Sequence, residues 1–181
     1  MIGDIKYELI GEETLRTRVA ELGAVISKDY EGCEVMLVCT LKGASIFFAD
    51  LLRRITIPVF MDFIAVSSYG DSAVTSGTVR ILKDLDYDIR GKHIILVEDI
   101  IDSGLTMKHI RDSMILRGPA SVKICCCLDK PSRRLTELEP DYCGFTIPNE
   151  FVVGYGLDYN EKYRNLPAVY VLKPEIYGGA E

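Results

Sequence analysis

The sequence predicts an α/β protein built on a mostly parallel twisted sheet flanked by helices. Short, continuous apolar runs recur at residues 35–39, 59–66, 93–97 and 122–128, the form taken by strands buried on both faces. Helical patterns fall between them, so a strand–helix–strand unit occurs twice. The second unit is complete within roughly 35 residues, which implies a right-handed crossover joining parallel strands.

Each element has a local reason. Residues 12–30 place Leu15, Val19, Leu22, Val25 and Ile26 at three- and four-residue steps, an amphipathic helix. The run Val-Met-Leu-Val-Cys at 35–39 reads as a buried strand, Lys42-Gly43 turns the chain, and residues 44–53 form a helix that ends before Pro58. Another apolar run follows at 59–66. Residues 67–77 (SSYGDSAVTSG) are small, polar and Gly-rich, a long loop for a compact domain. Alternation returns at 78–85, as in a strand beside the core. Residues 93–97 form a strand, 98–104 a connection, and 105–117 a helix stopped by Gly118-Pro119 ahead of the strand at 122–128. Neither a linker nor an internal repeat interrupts residues 1–181, so a single domain is expected.

Composition narrows the classes. With 48% hydrophobic and 27% charged residues the chain is neither disordered nor a disulfide-stapled miniprotein. At 181 residues it can bury about two-thirds of its unfolded surface, so it needs no metal to fold. A formal charge of −6 disfavours a generic nucleic-acid binder while leaving room for a small anionic substrate held by a local cation. Six cysteines lack Cys-x-x-Cys spacing, and three of them (Cys125, Cys126, Cys127) sit in an apolar run, where thiols act as small hydrophobes. The amino terminus has no signal-peptide pattern and no window approaches about 18 apolar residues. A cytoplasmic protein with reduced thiols is expected, binding neither nucleic acid nor membrane.

The chemistry is expected at the carboxyl ends of the strands, where open α/β sheets bind ligands. The run Val-Glu-Asp-Ile-Ile-Asp-Ser-Gly-Leu-Thr at 97–106 stands there. Asp102 to Thr106 makes a short turn into a helix, with Gly104 allowing close backbone approach and Ser103 and Thr106 supplying hydroxyls. Free amides at a helix start plus hydroxyls make an anion cradle suited to phosphate. Glu98, Asp99 and Asp102 beside it suit sugar hydroxyls and Mg2+. A sugar phosphate with a metal accounts for all of these, whereas simple helix capping needs one acceptor rather than three acids and a glycine. No Gly-x4-Gly-Lys-Ser/Thr phosphate loop is present, and Gly154-Tyr155-Gly156 lacks the third glycine of a dinucleotide fingerprint.

The run at 97–106 resembles the signature loop of type I phosphoribosyltransferases. Four more segments narrow the resemblance to the hypoxanthine/guanine phosphoribosyltransferases: Leu41-Lys42-Gly43, Ser67-Ser68-Tyr69-Gly70, Leu128-Asp129-Lys130-Pro131, and Phe-Val-Val-Gly-Tyr-Gly-Leu-Asp-Tyr-Asn at 151–160 with Arg164. They occur in the family's order from about residue 40 to 165, and with their flanking elements cover nearly the whole chain.

The resemblance implies transfer of the 5-phosphoribosyl group from phosphoribosyl pyrophosphate to N9 of a 6-oxopurine, giving IMP or GMP plus pyrophosphate in purine salvage. It implies that Glu98 and Asp99 hold the ribose hydroxyls and, with Asp158, Mg2+, and that Asp102, Ser103, Gly104, Leu105 and Thr106 wrap the 5′-phosphate. Some relatives carry lysine where this chain has Leu105, leaving amides and helix dipole to carry the charge here. Asp102 is the implied general acid/base near purine N7. Lys42 and Gly43 are implied to meet pyrophosphate across a non-proline cis bond between them, and Arg164 to meet it as a planar fork. Ser68 and Tyr69 would reach it from a mobile lid formed by residues 67–77. Lys130 would select O6 and disfavour adenine's amino group, Phe151 would stack on the purine, and Val152 and Asp158 would meet its C2 edge.

A small hood from the N-terminal residues and about 130–165 is implied over the base, as is a homodimer or homotetramer. Two alternatives remain from sequence: a xanthine/guanine-preferring enzyme, since both bases carry O6, and a phosphoribosyl-pyrophosphate-sensing regulator that binds nucleic acid, against which the charge balance counts.

Overall fold

The computed structural model describes residues 1–68 and 79–178. A single 3-10 turn precedes strand β1 (Ile5–Ile10) and helix α1 (Glu12–Asp29). Next come β2 (Val35–Leu41), α2 (Ser45–Leu52), β3 (Val59–Ser68), β4 (Val79–Lys83), β5 (His93–Ile101), α3 (Leu105–Ile115) and β6 (Ser121–Asp129). A 3-10 turn (Pro131–Arg133), β7 (Tyr142–Thr146), β8 (Val152–Val153), β9 (Val169–Leu172) and the short helix α4 (Pro174–Tyr177) complete the order.

The main sheet has six strands in the order β4-β3-β2-β5-β6-β7, all parallel except the antiparallel edge strand β4. Its central strands are apolar on both faces because helices cover both. Val35, Leu37 and Cys39 of β2, Ile95 and Val97 of β5, and Cys125 and Cys127 of β6 pack toward α1 and α2. The alternate residues Met36, Val38, Ile94, Leu96, Ile124 and Cys126 pack toward α3. The three consecutive cysteines are thus core residues of both layers, and all six thiols are free.

The crossovers decide where a ligand fits. From β2 the chain leaves through α2 on one face, and from β5 through α3 on the other. Neighbouring strands whose connections part to opposite faces leave a crevice at their carboxyl ends. That crevice lies between Leu41 and Glu98.

Three sequence expectations are corrected. Residues 98–101 are strand rather than connection: β5 stays paired with β6 through Ile101, opposite Asp129. Pairing with β2 ends at Val97, so Glu98 and Asp99 stand on a strand bonded on one side and open on the other. Polar side chains there cost the ladder nothing. Ser67 and Ser68 likewise extend β3 and pair with β4, while Tyr69 and the rest of the predicted loop lie outside the described residues.

The hood also departs from expectation. Over the crevice sits a separate antiparallel sheet, β1-β9-β8, whose strand β9 comes from beyond residue 165, while β7 joins the main sheet. Lys173 N–H donates to the Asp4 carbonyl at 2.9 Å and Tyr163 Oη to the Asp4 carboxylate at 2.9 Å, tying the two chain ends together. Among the described residues no helix is long and apolar enough to cross a membrane.

Candidate active site

Two backbones meet at the crevice because glycine allows it. A Cβ on Gly43 would overlap the Asp99 carboxylate, and one on Gly156, at φ +100°, would overlap the Gly43 carbonyl. The turn after β2, the acids of β5 and the hood strand region are therefore held at contact distance. The cis peptide lies between Leu41 and Lys42, not between Lys42 and Gly43 as the resemblance implies.

The phosphate cradle is formed at the start of α3. Gly104 occupies the N-cap with φ +79°, no side chain caps the helix, and no acid sits in its first turn. Ser103 Oγ accepts from the Leu105 amide only at 3.4 Å, a long contact, so simple capping does not account for this sequence and the first turn can still offer its amides to an anion. Leu135 N–H donates to the Ser103 carbonyl at 2.9 Å, so the chain after β6 braces the cradle from below. A cavity of about 270 Å³ is lined by Glu98, Asp99, Asp102, Ser103, Gly104 and Thr106 among others. Leu105 contributes backbone rather than lining. Burial, then the neighbouring Asp99 charge, pushes the Glu98 carboxyl well above the usual carboxylate range. Two adjacent acids in that setting favour a cation or hydroxyl donors.

Beside the cradle a second cavity of about 480 Å³ brings together Asp99, Asp102, Lys130, Phe151, Val152 and Asp158. The sequence places these on three separated segments, and the fold unites them. Lys130 is only 7% exposed and has no ion-pair partner among the described residues. Its backbone is pinned to Ile101 by a 3.0 Å hydrogen bond. Burial lowers its pKa, partly offset by the Asp102 charge. A desolvated cation without a fixed partner is a strong donor for a carbonyl oxygen in the cavity.

Six lining residues escaped the sequence reading: Ile100, Arg133, Asn149, Glu150, Leu157 and Tyr177. Arg133 Nε lies 3.0 Å from Asp102 Oδ1, without hydrogen-bond alignment, so its hold on the carboxylate is electrostatic. Its signal was the basic pair Arg133-Arg134 just after Lys130. Tyr177 stacks on Phe151 with centroids 4.6 Å apart, while Tyr159 meets the same ring edge-on at 5.6 Å. The C-terminal position of Tyr177 gave no signal.

Lys42 and Arg164 are not in either cavity lining. Lys42 Nζ pairs with Glu161 Oε2 at 3.0 Å. Arg164 Nη2 lies 2.9 Å from Asp158 Oδ1 and 3.4 Å from Glu161 Oε1, and Nη1 donates to the Gly156 carbonyl at 2.9 Å. Arg164 lines an adjoining cavity of about 350 Å³ against α1 and α2. One carboxylate, Glu161, thus holds both cations implied to bind pyrophosphate. The segment carrying it is strained: Tyr155, Asn160, Glu161 and Tyr163 all have φ between 51° and 77°. Non-glycine residues rarely adopt that conformation, and it concentrates at functional sites.

Among the described residues no three His, Cys, Asp or Glu side chains converge into a closed metal cage. Asp99 and Asp158 share one cavity and Glu98 lies in the next, a set that fits a cation held by one or two carboxylates and completed by ligand oxygens.

Comparison with known proteins agrees with this geometry. Residues 11–160 match the Phosphoribosyl transferase domain family. A hypoxanthine-guanine phosphoribosyltransferase of Streptococcus thermophilus (strain CNRZ 1066) is 51% identical over 174 residues, covering 96% of this chain and 97% of its own. Its counterpart from Bacillus subtilis (strain 168) is 48% identical over 174 residues, 96% of this chain and 97% of its own. A crystal structure of a hypoxanthine phosphoribosyltransferase from Staphylococcus aureus, 45% identical, superposes with a TM-score of 0.95 over 98% of this chain and 96% of that one. With its six-stranded sheet, its cradle at the end of β5 and these relatives, the chain belongs to the phosphoribosyltransferase family, among the hypoxanthine-guanine phosphoribosyltransferases.

Proposed function

We propose that the chain transfers the 5-phosphoribosyl group from phosphoribosyl pyrophosphate to N9 of hypoxanthine or guanine, releasing pyrophosphate and forming IMP or GMP. The observation that carries this reading is the buried, unpaired Lys130 in one cavity with Asp102 and Phe151, directly beside the cradle at the start of α3. The amides of residues 104–106 and the Ser103 and Thr106 hydroxyls take the 5′-phosphate. Glu98 and Asp99 accept hydrogen bonds from the ribose hydroxyls. Phe151 stacks on the base, Lys130 donates to O6, and the Val152 backbone meets the C2 edge. Asp102 accepts the proton that the purine sheds as N9 bonds to the ribose, and its charge stabilises the oxocarbenium-like sugar.

Asp99 and Asp158, with Glu98 nearby, would hold Mg2+, which would supply charge neutralisation for pyrophosphate oxygens. Lys42 and Arg164 turn from Glu161 to the same oxygens. The donor character of Lys130 disfavours adenine, whose C6 carries an amino group. A cytoplasmic homodimer or homotetramer is the corresponding assembly. Chromatography of a reaction containing hypoxanthine, phosphoribosyl pyrophosphate and Mg2+ tests the reading: IMP and pyrophosphate should appear in equal amounts. Formation of neither would refute it.

A further inference from the structure

We propose that Tyr177 is a positioning residue for the purine, acting through Phe151, an inference that rests on the base-stacking role of Phe151 above. The two rings are stacked nearly parallel, 21° apart with centroids 4.6 Å apart, and both line the cavity that contains Lys130 and Asp102. Tyr159 meets Phe151 edge-on at 89°. Tyr177 therefore covers one face of the Phe151 ring, and Tyr159 stands perpendicular to that ring. The opposite face of Phe151 is the one assigned to the planar base.

The turn that carries Tyr177 is held in place. Pro174 starts α4, Gly178 ends it with φ +82°, and Ile176 N–H bonds back to the Lys173 carbonyl at 3.0 Å. Lys173 is anchored twice to the amino terminus: its N–H reaches the Asp4 carbonyl at 2.9 Å and its Nζ the Gly3 carbonyl at 2.7 Å. Ile176 and Tyr177 pack with Phe151 and Tyr159 around Val153, Tyr163 and Leu172. Phe151 itself immediately precedes the two-residue strand β8 at the edge of the hood sheet, and its carbonyl accepts from Leu172 N–H at 2.9 Å, which pins its backbone but does not set the plane of its ring. A stacked ring behind it fixes its plane before the base arrives, so less side-chain freedom is lost on binding. The chain's two ends, joined at Lys173 and residues 3–4, thus set the geometry of the base pocket.

Steady-state kinetics on the full chain test this. Tyr177→Leu keeps an apolar side chain and loses the ring; it should raise KM for hypoxanthine by about 3- to 10-fold, the equivalent of one aromatic pair. KM for phosphoribosyl pyrophosphate should stay within about twofold, since that ligand does not meet Phe151. Tyr177→Phe should restore the native KM for the base. The sequence contains no tryptophan, so Tyr177→Trp adds a single fluorophore at the pocket. Its emission should change saturably with GMP and stay unchanged with ribose 5-phosphate. An unaltered base KM in Tyr177→Leu, an equal rise in both KM values, or Trp emission insensitive to GMP would overturn the proposal. If the unmodified chain turned over neither hypoxanthine nor guanine, the proposed function itself would fail, which is a separate result.

Discussion

At the scale of single residues, the proposed chemistry divides between Lys130 and Asp102. Lys130 is a buried cation, so its pKa is lowered chiefly by desolvation. Between that lowered value and the ordinary lysine value the native state binds fewer protons than the unfolded chain, so this group makes stability rise with pH in that window. Base binding runs the other way, because deprotonation removes the charged donor. KM for hypoxanthine should therefore climb at a pH below the ordinary lysine range, and Lys130→Met should raise KM throughout and remove that dependence. A KM profile identical to the native one would exclude Lys130 from the base site. Asp102→Asn should lower kcat by about 10²- to 10⁴-fold, the usual yield of a general acid or base. Near-full kcat with unchanged pH dependence would show that the carboxylate, with Arg133 beside it, serves placement alone.

At the scale of elements, the site depends on close approaches that one atom can spoil. Gly43→Ala places a methyl group on the Asp99 carboxylate and should impair phosphoribosyl pyrophosphate binding more than base binding, read as a larger rise in its KM. Glu161 acts in the opposite sense, as an internal anion holding Lys42 and Arg164. Both pairs are solvent-exposed, and such pairs contribute little individually, so Glu161→Gln should lower KM for phosphoribosyl pyrophosphate by no more than about fivefold. A raised KM would mean that Glu161 orders the cations for pyrophosphate instead of competing with it. The buried apolar runs made β2, β5 and β6 legible in the sequence, because their pattern reports burial directly; β3 carries a similar run but leaves Phe60 and Met61 about half exposed. The end of β5 was not legible: acids normally mark a strand's end, and only the one-sided pairing past Val97 keeps Glu98 and Asp99 in the ladder. Strand β9 and the stacking of Tyr177 arise from contacts between distant segments, which no local pattern encodes.

At the scale of the whole molecule, function follows from two crossovers leaving a central strand pair on opposite faces, with a hood made of both chain ends closing the gap. The cradle, the acids and Lys130 come from the main sheet, while Phe151, Val152 and Asp158 come from the hood side. The resemblance named candidate residues, and the fold shows which of them converge. Light scattering should give two or four times the chain mass of 20.2 kDa; a monomer would contradict the expected assembly. The most direct test of the central claim is a set of initial rates with phosphoribosyl pyrophosphate and Mg2+, offering hypoxanthine, guanine, xanthine and adenine in turn. Rapid turnover of hypoxanthine and guanine, with none of adenine, is the predicted result. Turnover of adenine at a comparable rate, or of no base at all, would contradict it.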